Sequence, residues 1–211
     1  MRERPRRPAP EKPAPRTRGA GSVRIAGGVH RGRRIAVPAG QTVRPTSDKV
    51  RAALFNILAH RDWDGLGFLP RNARVLDAFA GTGALGLEAL SRGATEALFL
   101  ENDPSVRKAL ERTLADVDEI HRAFVLPRDA TKPGTMPGGE RFGLVLADAP
   151  YNSGLAATAL DAFAREGWLA PRALAVIELE AREPFFAPEA FEVIEERAYG
   201  STRLVFTQAR R

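Results

Sequence analysis

Two segments of the chain combine an apolar stretch with residues that can bind or activate a ligand. In the first, an apolar run ends at Asp77 and is followed by Gly81, Gly83 and Gly86. This order of residues predicts a strand, a tight turn and a helix. The spacing G-x-G-x-x-G is typical of turns that hold a dinucleotide, whose ribose is bound by an acid about 20 residues later. Glu101 occupies that later position.

The charge of Asp77 discriminates between possible ligands of this turn. A dinucleotide would bring a pyrophosphate, which a carboxylate at the strand end would repel from the helix N-terminus. S-adenosylmethionine instead carries an ammonium and a sulfonium group, which a carboxylate attracts. The pattern therefore favours S-adenosylmethionine. The alternative is a turn without a ligand, in which the glycines allow a tight connection and Asp77 caps a neighbouring backbone group.

The second segment is a strand pattern over residues 144–147 that ends in Asp148-Ala149-Pro150-Tyr151. Ligands of open α/β sheets bind at the carboxyl ends of the strands. There the Asp148 carboxylate and the Ala149 carbonyl can accept the two N–H bonds of an amino group on a flat ring. Pro150 stiffens the backbone, and Tyr151 can stack on the ring.

Such an amine is a weak nucleophile because its lone pair is delocalised into the ring. Holding both hydrogens and aiming the nitrogen at a methyl group would be catalysis by positioning and electrostatics. The alternative is structural, since a proline also ends a strand.

Alternating strand and helix patterns surround both segments. Strand patterns cover residues 75–78, 96–101, 123–126, 142–147 and 174–178, and helix patterns cover 84–92, 104–117 and 154–165. This alternation predicts a parallel sheet with helices on both faces. The last strand patterns, 191–199 and 202–208, predict an antiparallel hairpin at its edge. The Gly- and Pro-rich residues 131–140 are expected to form a flexible loop.

The N-terminal part is basic and poor in large apolar residues. Residues 1–20 contain seven Lys or Arg, two Glu and five Pro, and they cannot bury enough apolar surface to fold. We predict a disordered basic tail over residues 1–21, a β-hairpin extension over 22–43 and one α/β domain over 44–211. The tail is either a tether for a polyanion such as RNA or a dispensable extension.

The hairpin is dense in basic side chains, and two further arginines follow it. The expected RNA contacts are Arg24, His30, Arg31, Arg33, Arg34, Arg44 and Arg51. A small basic hairpin ahead of a catalytic domain can grip a phosphate backbone. The alternative is an ordinary exposed hairpin.

Composition excludes several other kinds of chemistry. The 211 residues include no cysteine, which excludes disulfides, cysteine metal sites and cysteine nucleophiles, and so disfavours methylation of cytosine C5 through a cysteine adduct. His30, His60 and His121 lack the spacing of metal ligands, and no metal is expected. No apolar run is long enough to span a membrane and the N-terminus lacks a secretory signal, so a cytoplasmic location is expected.

The second segment and the N-terminal residues resemble one family. Asp148–Tyr151 is similar to the Asp/Asn-Pro-Pro-Tyr/Phe motif of methyltransferases that act on exocyclic amines. Residues 24–34, 44–48 and 50–56 resemble the N-terminal signature of the RsmD-type small-subunit ribosomal RNA (guanine-N2) methyltransferases, and the resemblance covers residues 22–208. Ala149 departs from it, because it stands where the motif has its first proline. If the backbone carbonyl is the acceptor, only rigidity is lost.

The resemblance implies a fold, a cofactor and a reaction. The fold is a Rossmann-like class I methyltransferase: a seven-stranded, mostly parallel sheet with an antiparallel C-terminal hairpin and a small N-terminal β-hairpin. The reaction is methyl transfer from S-adenosylmethionine to the N2 amine of a guanine in 16S ribosomal RNA. The expected substrate is a partly or fully assembled small subunit, and the expected enzyme is a monomer without a metal.

The resemblance also implies the residues of the site. S-adenosylmethionine is expected at Asp77, Phe79, Ala80, Gly81, Thr82, Gly83, Ala84, Glu101, Asn102, Asp129, Ala130 and Asp148. Glu101 would hold the ribose, and Asp129 the adenine. The expected catalytic residues are Asp148, Ala149, Pro150 and Tyr151.

Three other functions stay open on the sequence. The motif at Asp148 also serves adenine and cytosine amines, so the substrate could be another RNA or DNA base. An NAD(P)-binding oxidoreductase shares the glycine pattern, although Asp77 and the lack of a proton-relay residue count against it. An RNA-binding protein that kept the fold but lost activity is the third, and only Ala149 points to it.

Overall fold

A seven-stranded sheet organises the chain. The structure, a computed structural model, describes residues 23–37, 48–63 and 65–210. The predicted tail, Arg44 and the predicted boundary between residues 43 and 44 lie outside these ranges. In chain order the elements are β1 (Val23–Arg24), β2 (Arg34–Ile35), α1 (Asp48–His60), β3 (Arg74–Asp77), α2 (Ala84–Ser91), β4 (Glu96–Leu100), α3 (Pro104–Asp116), β5 (Ala123–Leu126), β6 (Phe142–Ala147), α4 (Leu155–Arg165), β7 (Leu169–Glu180), β8 (Phe191–Tyr199) and β9 (Thr202–Ala209).

The strand order in the sheet is β5-β4-β3-β6-β7-β9-β8. The first five of these strands run parallel, whereas β9 is antiparallel to both β7 and β8. The carboxyl ends of β3, β4, β5 and β6 therefore lie at one edge of the sheet. The chain order reverses between β3 and β6, which is the switch point where such folds bind ligands. The fold predicted from the sequence is confirmed.

Helices cover both faces of the sheet. Alternate side chains of each strand point to opposite faces: Val75 and Phe99 pack in a core with α1, α2, α3 and the β1–β2 hairpin, and Leu76 and Leu98 pack in a core with α4. Trp63 and Trp168, one in each core, are buried. Both tryptophans are therefore packing residues.

One strand boundary and one loop differ from the sequence prediction by more than a residue or two. β7 begins at Leu169, which pairs with Phe142, and not near residue 174. Pro171 and Arg172, which has a φ of 60°, interrupt the apolar pattern that would have revealed the first residues of this strand. The loop predicted to be flexible is anchored, because Arg128 Nη1 donates to Pro133 O (2.6 Å) and Trp168 Nε1 donates to Gly134 O (2.8 Å).

The β1–β2 hairpin packs against the far ends of α2 and α3. Its Ala26 N donates to Glu88 Oε2 (2.7 Å) and its Val29 N to Ser91 O (2.8 Å). Arg33 donates to Asp116 O at the end of α3. Because α2 and α3 each begin just after the carboxyl end of a strand, their last residues lie toward the opposite edge of the sheet. The tip of the hairpin is therefore remote from the switch point.

Arg51 joins this hairpin to α1 and α2. Its side chain is fully buried, its Nη2 donates to Asp48 Oδ1 (2.8 Å) and to Arg24 O, and its Nε lies 3.5 Å from Glu88 Oε2. The buried Glu88 also accepts from Arg92 Nε at 2.7 Å. This burial contradicts the RNA contact predicted for Arg51. Nothing in the sequence indicates this burial, because an arginine in an amphipathic helix pattern is usually exposed.

The variant Arg51→Met tests this structural role. Methionine keeps the length of the side chain but removes a cation from the buried carboxylate of Glu88. Breaking a buried ion pair in this way lowers the free energy of unfolding by about 3–5 kcal/mol. Denaturant unfolding measures the change, and Arg112→Met, at an exposed position of α3, is the matched control. Equal stability of the two variants would show that the burial of Arg51 contributes nothing.

Candidate active site

A pocket of about 660 Å³ opens at the carboxyl edge of the sheet. This volume is typical of small-molecule and cofactor sites. Its lining residues follow β3, β4, β5 and β6: Ala78, Phe79, Gly81, Thr82, Leu100, Glu101, Asn102, Arg128, Asp129, Ala130, Asp148, Ala149, Pro150 and Tyr151. The two segments singled out in the sequence therefore meet in one cavity.

Most of the predicted site residues line this pocket. Four predicted cofactor residues do not: Asp77, Ala80, Gly83 and Ala84. Three lining residues were not predicted, namely Ala78, Leu100 and Arg128. Each is the chain neighbour of a predicted residue, so the carboxyl-end positions of β3, β4 and β5 were the signal that could have found them.

Asp77 is buried at the end of β3 and fixes the start of α2. It is 1% exposed, and its Oδ2 accepts a hydrogen bond from Gly86 N at 2.8 Å. Burial raises the pKa of its carboxyl to about 7, although the bond from Gly86 opposes the shift, and the nearby charge of Glu101 adds to it. Asp77 thus does what the structural alternative proposed, capping a backbone N–H of the helix.

The three glycines have different neighbours. A Cβ on Gly81, whose φ is +51°, would meet only Phe79 O at 4.0 Å, so its open side is available to a ligand in the pocket. A Cβ on Gly83 would lie 2.3 Å from Leu110 Cδ1, and one on Gly86 would lie 2.3 Å from Phe99 Cε1. Gly83 and Gly86 are therefore required for packing the helix against its neighbours.

Two acids, one after β4 and one after β5, are held in defined orientations in the pocket wall. Glu101 accepts from Gly81 N through Oε2 (2.9 Å) and from Asp103 N through Oε1 (2.8 Å). Asp129 Oδ1 accepts from the hydroxyl (2.7 Å) and the backbone N–H (2.8 Å) of Thr131. Both bonds lower the pKa of Asp129, and the bond from the Thr131 hydroxyl has the larger effect. The Asp129 carboxylate is therefore ionised at neutral pH.

The Asp148–Tyr151 segment forms the opposite wall of the pocket. Tyr151 is half-buried, and its hydroxyl donates to Glu178 Oε1 at 3.0 Å. Burial raises the pKa of Tyr151 to about 12; a hydrogen bond involving Thr202 opposes this, and the charges of Glu178 and Asp148 add to it. The phenol therefore stays protonated and its ring is held by the hydroxyl bond. Ala149 is buried and Pro150 is exposed.

The predicted RNA contacts do not form one surface with the pocket. Arg24, Arg31, Arg33 and Arg34 are exposed, whereas His30 is partly buried with its Nε2 2.5 Å from Glu119 Oε1. All five belong to the β1–β2 hairpin, whose tip lies at the far ends of α2 and α3. Sequence spacing could not reveal this location, because it depends on how the hairpin docks.

No helix in the part of the chain that the structure describes is long and apolar enough to cross a membrane. Within the same residues, no three His, Asp or Glu side chains form a cluster that could hold a metal ion.

The strand order and the pocket at its switch point define the class of protein: this is a Rossmann-like class I methyltransferase fold. Two solved structures agree closely with it. The structure resembles that of yhhF of Escherichia coli, with a TM-score of 0.74 and 35% sequence identity. The match covers 90% of this chain and 99% of yhhF. HI0767 of Haemophilus influenzae is similar over 90% of this chain and 100% of its own (TM-score 0.71, 30% identity).

Sequence comparisons identify the family. Residues 23–208 match the family model described as Conserved hypothetical protein 95. Ribosomal RNA small subunit methyltransferase D of Escherichia coli K12 is 39% identical over 79% of this chain and 79% of its own. Its Haemophilus influenzae counterpart is 35% identical over 76% of this chain and 80% of its own. The chain belongs to this family of methyltransferases.

A pair of glycine variants separates packing from ligand contact. In Gly86→Ala the new methyl would overlap the buried Phe99 ring, which lowers the free energy of unfolding by about 1–3 kcal/mol. In Gly81→Ala the positive φ costs about 1–2 kcal/mol, but the methyl would also occupy space beside the pocket. Unfolding curves and calorimetric binding of S-adenosylmethionine measure both effects. We expect weaker binding only in Gly81→Ala; weaker binding in folded Gly86→Ala alone would reverse the two roles.

Asp77 makes stability depend on pH. Its pKa in the folded protein, about 7, lies above its ordinary value of 3.8. Between these values the folded protein keeps a proton that the unfolded chain has lost, so the free energy of unfolding falls as pH rises, by at most about 1.4 kcal/mol per unit.

Asp77→Asn removes this titration and keeps an oxygen that can accept from Gly86 N. Unfolding both proteins at pH 5, 6, 7 and 8 measures the difference. We expect the wild type to lose stability relative to the variant up to about pH 7. A constant difference would mean that Asp77 does not change protonation on folding.

Proposed function

We propose that the protein transfers a methyl group from S-adenosylmethionine to the N2 amine of a guanine in 16S ribosomal RNA. The observation that carries the proposal is the meeting of Glu101, Asp129 and the Asp148–Tyr151 motif in one pocket. The relatives named ribosomal RNA small subunit methyltransferase D support the class of substrate.

The pocket fits the proposed donor in size and in charge. Its wall contains three acids, Glu101, Asp129 and Asp148, which suit a ligand with cationic groups and with hydroxyl and amino donors. Glu101 is proposed to hold the ribose hydroxyls and Asp129 the adenine amine, with Gly81 allowing close approach of the backbone. When bound, S-adenosylmethionine supplies an electrophilic methyl group. Asp129 and Asp148 disfavour the NAD(P) alternative, because they would repel a pyrophosphate, whereas Glu101 suits the ribose of either cofactor.

The target amine is proposed to lie beside the motif. The Asp148 carboxylate and the Ala149 carbonyl accept its two N–H bonds and turn the nitrogen lone pair away from the ring. The nitrogen would then attack the methyl carbon while the bond from that carbon to the sulfonium sulfur breaks. S-adenosylhomocysteine would leave, and the proton released by the nitrogen would go to Asp148 or to solvent. Backbone carbonyls do not depend on side-chain identity, so alanine at position 149 is compatible with this geometry.

Tyr151 is proposed to stack on the target ring. Its hydroxyl bond to Glu178 fixes the plane of the phenol, and its raised pKa keeps it neutral. A fixed neutral ring can support a base without adding a charge near the reacting nitrogen. Glu178 therefore acts as a positioning residue.

The basic hairpin is proposed to contact RNA far from the target nucleotide. α3 has 13 residues and is therefore about 20 Å long, which sets the scale of the separation between the pocket and the hairpin tip. RNA that reaches both must be folded or must follow the protein surface. This span favours an assembled particle as substrate over a short oligonucleotide. The same motif chemistry would serve an amine on another RNA or DNA base, which is the second candidate function.

Radiolabelled methyl transfer tests the proposal. The substrate is small ribosomal subunits from cells that lack the endogenous enzyme, and the product is identified by nucleoside analysis. We expect the label in N2-methylguanosine. Asp148→Asn should reduce the rate by about 10²–10³-fold, because it removes the charge that faces the amine. Asp161→Asn, at a partly exposed position of α4, is the control.

The outcomes separate the candidates. Label found in another nucleoside would show that the methyl acceptor is that base and not the N2 amine of guanine. Binding of S-adenosylmethionine without any label in subunits would move the substrate to another nucleic acid. Full activity of Asp148→Asn would show that the Asp148 carboxylate of the motif takes no part in the reaction.

A further inference from the structure

Phe186 is the most exposed large apolar side chain among the described residues, at 83%. It lies between β7 and β8, in the segment of residues 181–190. An exposed aromatic side chain contributes no burial to stability, and single exposed apolar residues are common. Phe186 differs from other exposed apolar residues in its position on a well-anchored segment beside the proposed active site.

The segment that carries Phe186 is held firmly. The buried Glu183 carboxylate accepts from Glu180 N through Oε2 at 3.3 Å, and Arg203 donates to Glu183 O. Phe185, the next residue before Phe186, is partly buried in the α4 core. Pro184 and Pro188 restrict the backbone on either side. The exposure of Phe186 is therefore a fixed feature of the surface.

A small cleft connects Phe186 to the proposed active site. The cleft has a volume of about 110 Å³ and is lined by Phe186, by the first turn of α4, and by Ala149 and Pro150 of the motif. It is well below the roughly 300–1,000 Å³ of a small-molecule site, so it is a surface feature and not a second cofactor pocket. Asp148 and Tyr151 line the large pocket and not this cleft. A group bound on Phe186 is thus a neighbour of the group that reacts.

We propose that Phe186 is a stacking platform for an unpaired base adjacent to the target nucleotide in the RNA substrate. The inference rests on the proposed function and adds a residue that positions the substrate. Every nucleobase has a π face, so a fixed aromatic ring can bind a flanking base without reading its identity. Arg182 is exposed in the same segment and is available to a backbone phosphate. Stacking the neighbour would hold the target nucleotide at the mouth of the pocket.

Four variants test the proposal in the methyl-transfer assay on small subunits. Phe186→Ala removes the ring, Phe186→Leu keeps apolar bulk without an aromatic face, and Phe186→Trp keeps the face. Phe68→Ala is the matched control, because Phe68 is 58% exposed and precedes the amino end of β3, at the opposite edge of the sheet. The measurements are kcat and KM for subunits and the Kd of S-adenosylmethionine.

We expect kcat/KM for subunits to fall about 5–100-fold in Phe186→Ala and in Phe186→Leu, the range given by the loss of one stacked base. Phe186→Trp and Phe68→Ala should keep it, and S-adenosylmethionine should bind equally to all variants. As a second readout, the fluorescence of the Trp in Phe186→Trp should be quenched when subunits bind, since Trp63 and Trp168 are buried.

Two results would overturn the proposal while the proposed function stands. Unchanged kcat/KM in Phe186→Ala would show that no contact is made. A loss in Phe186→Ala that Phe186→Leu restores fully would indicate an apolar contact with a ribosomal protein and not a stacked base. If the wild-type protein itself transfers no methyl group to subunits, the proposed function fails, and this inference fails with it.

Discussion

One buried hydrogen bond, from Gly86 N to Asp77 Oδ2, fixes where α2 begins relative to the end of β3. Gly81 then faces the pocket, and Gly86 packs on Phe99. The far end of α2, at Ser91, is where the hairpin docks. The bond has a cost, because a buried carboxylate is desolvated and its pKa rises to about 7. Because that pKa lies near neutral pH, the Asp77 carboxyl is uncharged in part of the folded population, and its role here is to accept the bond that sets the start of the helix.

The parallel arrangement of β3 to β6 converts separate stretches of sequence into one site. Each of these strands ends at the same edge, and residues within the next few positions of the chain line the pocket. The acids after β4 and β5 are oriented by nearby hydrogen bonds, whereas Tyr151 after β6 is oriented by Glu178 on β7. The two walls are therefore held by different hydrogen bonds, so a substitution in one wall can leave the other unchanged.

The sequence predicted most of this arrangement because the relevant signals are local. A strand pattern, a glycine turn and the Asp148–Tyr151 motif each occupy fewer than a dozen consecutive residues, and parallel strands bring their ends together without further information. The prediction that Arg51 contacts RNA was wrong because its partner Glu88 lies 37 residues away. No local sequence feature indicates that the two side chains are buried together. The docking site of the hairpin could not be predicted from the sequence either, because it depends on contacts with Glu88, Ser91 and Asp116 that form only in the folded protein.

The pocket and the basic hairpin lie at opposite edges of the sheet, so the proposed contacts with RNA are of two kinds. Near the pocket, the groups available are a fixed phenol, an exposed phenyl ring and backbone carbonyls, which suit the faces and amino groups of bases. At the opposite edge, the exposed groups are the arginines of the hairpin, which suit phosphates and act over a Debye length of about 10 Å. Contacts of the second kind weaken with salt, whereas stacking depends on it much less. On the proposed function, salt should therefore weaken the binding of the particle far more than it alters the placement of the base once the particle is bound.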